Sequence, residues 1–274
     1  MAIFLPSLAG GGAEKVNLLL AQGLSARDIQ VDLVLASAHG PYLENVPPGV
    51  GVFDLNTART LIALRPLVSY LRRRKPTILL SSLSHANVVA VWAKHRARVN
   101  TRVVVAEHSV LQNSRTVDLT LSGRATRFLL PRVYRKADAV IAVSQGVARE
   151  LVQDFHIPKE KVQVIYNPVV HAGLLKKGEE PVKHPWFRQG EPPVFLAVGR
   201  LTKEKDFVTL IRAFARVRGQ VESRLVILGE GPERPHLEGL VQNLGLGEYV
   251  DMPGFLANPY PYMARAVAVV LSSL

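Results

Sequence analysis

The chain has 274 residues, enough for about two domains, and 48% of them are hydrophobic, enough to fill two cores. It has no cysteine, which excludes disulfides, thiolate metal sites and thiol catalysis. The net charge of +12 is uneven: residues 59–136 hold 16 Lys and Arg against Glu107 and Asp118 only, which implies an anionic partner.

In chain order, the first strand is expected in AIFLPSL (2–8). The N-terminus has no basic region ahead of it and therefore does not read as a signal peptide. A glycine turn follows. Val16, Leu19, Leu20 and Leu24 then set an i, i+3, i+4, i+8 stripe, which predicts an amphipathic helix over 13–27. Further strands are expected in VDLVLAS (31–37), VGVFDL (50–55), TILLSSL (77–83), RVVVAEHS (102–109) and DAVIAVS (138–144). VQVIYNPV (162–169) closes this half. The runs are β-branched and almost continuously apolar, as strands covered on both faces should be, and helical segments lie between most of them. That alternation predicts α/β units around a parallel sheet.

Residues 170–193 mix charge, Gly and Pro with little periodicity and read as an interdomain linker. A second series begins at VFLAVG (194–199) and continues through RLVILG (224–229), YVDMPG (249–254) and VAVVLSSL (267–274). It predicts a second doubly wound domain. Ala266–Leu274 reads as an interior strand with nothing after it to cover it, so the chain as given is expected to be truncated, poorly stable and without turnover. Apolar stretches are broken by Ser, His and Asn before they reach spanning length, so the chain reads as soluble or peripheral.

Arg200 and Lys205 follow the strand at 194–198 and stand at the mouth of a helix. Cations there, with free helix N–H groups, suit an anion such as a diphosphate; a merely solvated helix start is the alternative. Gly10, Gly11 and Gly12 open the first helix and would let a ligand approach the backbone, although a plain turn would look similar. The segment is neither a P-loop nor G-x-G-x-x-G. His108, beside Glu107 at a strand end, could donate or accept a proton or position a hydroxyl, or could be a satisfied half-buried histidine. His85 could simply start a helix, and Glu230, in the turn 229–233, could face a ligand. With no D-x-D, H-E-x-x-H or cysteine cluster, nothing argues for a metal, and no G-x-S-x-G elbow is present.

As a set, LPSLAGGGAEKV, AEHS, YRKADAVIAVSQGVARELV, VIYNPV, VGRLTKEKDF, LVILGEGPERPHLEGLVQNLGL and VDMPGF resemble, in order, the retaining nucleotide-sugar-dependent glycosyltransferases of family 4. The resemblance implies the GT-B fold, with Rossmann-like domains over 1–169 and 194–274, the second incomplete, facing a cleft. It implies a nucleotide-diphosphate sugar as donor substrate and no cofactor. Gly11 and Gly12 would approach the donor diphosphate, Arg200 and Lys205 would hold it, and His108 would lie near the transferred sugar. The backbone at Gly254 and Phe255 would contact the base. The family's next segment, which bears two donor-binding glutamates, would follow Leu274.

The resemblance further implies a glycan or lipid-linked acceptor, in polysaccharide, lipopolysaccharide or glycolipid assembly. A cytoplasmic protein is expected, peripheral at the inner face of an anionic membrane and docked through the basic face. On that face Arg72–Lys75 end a helix, and 124–136 is expected to turn Phe128, Leu129, Leu130 and Tyr134 inward and its cations outward. The rivals are a nucleotide-sugar epimerase of the same fold and a basic membrane- or nucleic-acid-binding protein. Against nucleic acid, the aromatic residues of the basic stretch are scattered.

Overall fold

The computed structural model describes residues 1–108, 121–170 and 173–273, and within 121–127 the backbone alone. It divides into two compact units, Met1–Val169 and Val170–Leu274.

The first unit is a seven-stranded sheet in the order β3-β2-β1-β4-β5-β6-β7, parallel throughout. Its strands are β1 (Ala2–Leu5), β2 (Asp32–Leu35), β3 (Gly51–Asp54), β4 (Ile78–Ser82), β5 (Arg102–Glu107), β6 (Ala139–Ala142) and β7 (Val162–Val164). Its helices are α1 (Gly12–Ser25), α2 (Leu64–Arg74), α3 (Ser84–Ala97), α4 (Leu121–Tyr134) and α5 (Gln145–Gln153). Central strands are buried on both faces, Ala2–Leu5 being wholly inaccessible, whereas edge strand β3 alternates half-buried and exposed residues. The strand order reverses between β1 and β4. In sheets of this kind the crevice beyond the strand ends at such a reversal is where ligands bind.

The second unit repeats the plan with four parallel strands in the order β10-β9-β8-β11. They are β8 (Val194–Val198), β9 (Arg224–Leu228), β10 (Val250–Gly254) and β11 (Ala268–Val269). Its helices are α6 (Leu174–Glu179), α7 (Phe207–Arg218), α8 (Arg234–Asn243) and α9 (Tyr260–Arg265). Phe207, Ile211 and Phe214 of α7 pack with Leu225 and Ile227 as its core. Its reversal lies between β8 and β11.

Four expectations are corrected. Helix α1 forms, but it buries Glu14, Asn17, Leu18 and Ala21 rather than the Val16–Leu19–Leu20–Leu24 stripe. Asn17 is accommodated because its Nδ2 donates to Ser82 Oγ (3.0 Å) and Ser82 Oγ donates to Asn17 Oδ1 (3.2 Å), tying α1 to the end of β4. Residues 170–193 are not a bare linker. They carry α6, and Trp186 and Phe187 pack on the β8–β9 side of the second core. Beside them His184 sits edge-on to both rings and shares a 2.8 Å hydrogen bond with Asp251. The final run forms only the two-residue strand β11, with Ala268 and Val269 exposed at the sheet edge. Residues 109–120 of the basic stretch, with the side chains of 121–127, lie outside the described residues. Of the residues expected to face inward on α4, Leu130 and Tyr134 are buried, but Phe128 is 67% exposed, with the Arg132 guanidinium 4.5 Å from its ring centre. Among the described residues no helix is long and apolar enough to cross a membrane.

Candidate functional site

In the first unit the segments after β1, β4 and β5 end on one edge of the sheet, on both sides of the strand reversal. Gly10 takes φ +94°, a left-handed turn that favours glycine, and Gly11 caps α1 in extended conformation. Gly12 is different: a Cβ placed there would meet no atom within 4 Å. The fold does not demand glycine at 12, so its bareness leaves free space over the start of α1. The turn is braced from the side by the loop after β2. Leu8 N donates to His39 O (3.0 Å), Tyr42 N donates to Leu8 O (3.2 Å), and Gly40 lies so close that a Cβ would stand 2.2 Å from Leu8 O.

After β5 comes His108, half-buried, with burial holding its imidazole below the usual histidine range. Behind it Glu107 is 1% exposed. Its Oε2 accepts from the Tyr134 hydroxyl (2.6 Å), and the Ser84 hydroxyl lies 3.0 Å and 3.2 Å from its two oxygens. Asn87 Nδ2 donates to the Tyr134 oxygen (2.8 Å) and to Ala106 O (3.0 Å). Burial outweighs the hydrogen bonds from Tyr134, Ser84 and the His108 backbone, and pushes the Glu107 carboxyl up to about 7, with the nearby Glu150 charge adding to the rise. Leu83, which leads into Ser84, holds φ +80°, a strained conformation for a leucine. Sequence reasoning found His108 but missed this supporting network. Its members lie 23, 27 and 47 residues apart, so no local pattern announces it.

In the second unit Arg200 is exposed just past β8 and has no carboxylate partner among the described residues. The Lys205 stem folds back over Gly199, whose Cβ position lies 3.5 Å and 3.6 Å from Lys205 Cδ and Cε. The two cations therefore share the β8 strand end, at the reversal. There Ser272, beyond β11, donates to Lys205 O (2.7 Å), a contact the sequence did not suggest. The start of α7 is less open than expected, because Asp206 caps it by accepting from Thr209 N (3.3 Å). Positive charge at this strand end is thus offered by the side-chain cations more than by the helix end.

The loops beyond β8, β9 and β10 are joined main chain to main chain. Leu201 N donates to Glu230 O (2.9 Å) and Gly229 N donates to Gly254 O (2.8 Å). No side chain fits between them: a Cβ at Gly229 would stand 1.8 Å from Gly199 O, and one at Gly231 would stand 2.3 Å from Leu201 O. Gly254, at φ +98°, backs onto the Glu230 carboxylate, which is itself gripped by both Nε and Nη2 of Arg234 at 2.9 Å and 2.7 Å. Glu230 is accordingly bound to Arg234 and braces Gly254, with half-buried Phe255 next in the chain.

A model of Glycosyltransferase Family 4 matches residues 10–172, more than half of the chain, and one of Glycosyl transferases group 1 matches 179–274. The chain belongs to glycosyltransferase family 4. An N-acetylgalactosaminyltransferase of Campylobacter jejuni that acts on a diphospho-undecaprenol acceptor is 29% identical over the whole chain, which spans 74% of that relative. The lipopolysaccharide core biosynthesis glycosyltransferase LpsE of Rhizobium meliloti is 25% identical over 96% of the chain and 69% of its own length. In structure, Anabaena HepE, solved with UDP and glucose, superposes with a TM-score of 0.76 at 22% identity, over 99% of this chain and 73% of HepE. The two Rossmann-like sheets are those of this family's GT-B architecture, and the chain is a glycosyltransferase.

Proposed function

We propose that this glycosyltransferase binds a nucleoside diphosphate sugar and moves the sugar, with retention of configuration, to a lipid-linked acceptor or growing glycan. The observation that carries the reading is the pair Arg200 and Lys205, brought together at the strand reversal of the second sheet with no acidic partner among the described residues. In the transfer, an acceptor hydroxyl oxygen bonds to the anomeric carbon as the bond from that carbon to the diphosphate breaks. The electron pair leaves with the diphosphate, and the acceptor proton ends on a phosphate oxygen. Arg200 and Lys205 hold the diphosphate and stabilise the charge growing on it, the role a metal fills elsewhere.

The backbone at Gly254 and Phe255, stiffened by Glu230 and Arg234, faces the base. In the first unit, the open space over Gly12 supports the turn Gly11–Gly12 as a candidate donor contact. His108, kept neutral by burial, hydrogen-bonds a hydroxyl of the transferred sugar or acceptor. The Campylobacter relative's acceptor and the UDP and glucose held by HepE support these substrate classes and make a UDP-sugar the donor to try first. An acceptor of that kind is lipid-linked, which supports a reaction carried out at a membrane surface.

Calorimetric titration with UDP and UDP-glucose tests the donor site. Arg200→Ala and Lys205→Ala are each expected to weaken binding on the order of 10-fold or more, because a charge-assisted hydrogen bond is lost. Turnover, where measured, should fall on the order of 100-fold, and EDTA should change neither quantity. Variants that bind like the parent, or binding that requires magnesium, would overturn the assignment. Product analysis separates transfer from epimerisation.

A further inference from the structure

Helices α2 and α3 leave between them an open groove of about 700 Å³, lined by Arg65, Arg72, Arg73, His95, Arg96 and Arg98, with Leu64 and Val68 at its wall. Between Asp54 and Glu107 the chain carries ten Lys and Arg and no carboxylate. Three of these cations have structural tasks. Arg72 donates to the α3 carbonyls of Ala97 (3.4 Å) and Arg96 (3.1 Å) and so closes that helix end. Arg74 pairs with Asp32 (3.3 Å) and stands 5.1 Å from the Phe53 ring centre, and Lys94 pairs with Asp138 (2.8 Å). These contacts narrow the basic face expected from sequence, since two of the four residues in Arg72–Lys75 are already engaged.

Arg65, Arg73, Arg96 and Arg98 have no acidic partner among the described residues, yet all line one groove and all are exposed. Gathering unpaired like charges costs the fold free energy through self-repulsion, and a bound anion removes that cost. All four are arginines, whose planar donor forks fit phosphate oxygens two at a time. The neighbouring surface is apolar. Leu61 and Ile62, in the turn that leads into α2, are 49% and 60% exposed beside Arg59, and Trp92, one turn ahead of His95 on α3, is 39% exposed. Cations beside exposed aliphatic and aromatic groups are the composition of a surface that meets a lipid interface, and neither free phosphate nor a nucleic acid would cover Leu61 and Ile62.

We propose that the α2–α3 groove seats the phosphate of an anionic phospholipid headgroup. Arg65, Arg73, Arg96 and Arg98 fork onto the phosphate, while Leu61 and Ile62 enter the boundary of the acyl chains. This site deepens the membrane-facing part of the function proposed above and rests on that reading for its use, but it shares no residue with the donor site.

The test is sedimentation of the whole chain with vesicles of phosphatidylcholine alone or mixed with phosphatidylglycerol, alongside calorimetric titration with UDP. Arg73→Gln, Arg96→Gln and Arg98→Gln combined leave Arg72 and its helix end intact. They are expected to lower affinity for the anionic vesicles on the order of 100-fold, from about 1 kcal/mol per cation at the surface. The combination Arg149→Gln, Arg212→Gln and Arg216→Gln removes the same charge elsewhere and should cost far less. Leu61→Ser with Ile62→Ser should also weaken binding, with no change in charge.

Equal loss in the two triple variants would overturn the site in favour of diffuse charge. Equal binding to neutral vesicles, full competition by inorganic phosphate, or tighter binding of duplex RNA than of vesicles would overturn the lipid assignment. UDP binding without vesicle binding sinks this inference alone, and vesicle binding without UDP binding sinks the donor reading alone.

Discussion

Glu107 is a carboxyl that its surroundings make harder to ionise. It is buried at a strand end and hydrogen-bonded by Tyr134 and Ser84, yet burial dominates and raises its folded value to about 7 from an ordinary 4.5. The consequence for stability has a definite sign. Between those values the folded chain holds a proton that the unfolded chain has released, so this group's contribution is full below the unfolded value and is lost as pH rises through the folded one. Glu107→Gln keeps the shape and stays neutral. It is expected to remove that decline: chemical denaturation at pH 5 and pH 8 should show a smaller difference for the variant than for the parent. An unchanged difference would mean that Glu107 ionises in the folded chain as freely as in the unfolded one. Because Glu107 accepts the backbone N–H of His108, the same substitution tests whether the carboxyl positions the histidine. A change in the pH profile of donor binding or turnover at preserved folding is the outcome that positioning requires.

At the scale of elements, the two units solve one problem in the same way. The loop after the first strand is held still in each unit, where a left-handed glycine in the loop after the second strand presses against it. Gly40 does so on Leu8 at φ +115°, and Gly229 on Gly199 at φ +149°. Alanine at either position combines a forbidden backbone angle with a Cβ inside a carbonyl oxygen. Gly40→Ala and Gly229→Ala are each expected to destabilise their unit by more than about 1 kcal/mol in denaturant titration. Gly12→Ala is the contrast. With open space over that position it should leave stability unchanged or slightly raised, as alanine favours a helix, while weakening donor binding through the Cβ in the ligand's path. Binding that is undiminished in Gly12→Ala would remove Gly12 from the donor site.

Most strands were legible because doubly covered parallel strands are continuous apolar runs. Ten of the eleven form where TILLSSL, RVVVAEHS and their counterparts place them, while the last run shrinks to Ala268–Val269 at the sheet edge. The cations after β8 were legible because strand, turn and helix follow directly in sequence. The buried side of α1 was not: it is chosen by Asn17 meeting Ser82, 65 residues away, against a perfectly good apolar stripe. Nor was the packing of 170–193, where two aromatic residues amid prolines and charges anchor to the second core. Periodicity sees neighbours on one element; partners that the fold brings from far along the chain leave no period behind.

For the molecule as a whole, the two tryptophans divide between the two units. Trp92 stands on α3 of the first, and Trp186 lies in the second with its ring 5.1 Å from His184 and 4.9 Å from the Arg224 guanidinium. Trp92→Phe therefore leaves a fluorescence signal from the second unit alone, and Trp186→Phe leaves one from the first. A ligand at free concentration L stabilises the unit that binds it by RT ln(1 + L/Kd), about 2.7 kcal/mol when L is one hundred times Kd. If Arg200, Lys205 and the Gly254–Phe255 backbone hold the nucleotide, added UDP should move the Trp186 transition by about that amount in denaturant titration. The shift should vanish when Arg200 and Lys205 are both alanine. The Trp92 transition tests Gly11 and Gly12 of the first unit separately: it should move only if they too contact the nucleotide. A shift confined to Trp92, or none in either signal at saturating UDP, would place the donor somewhere other than the strand ends of the second sheet.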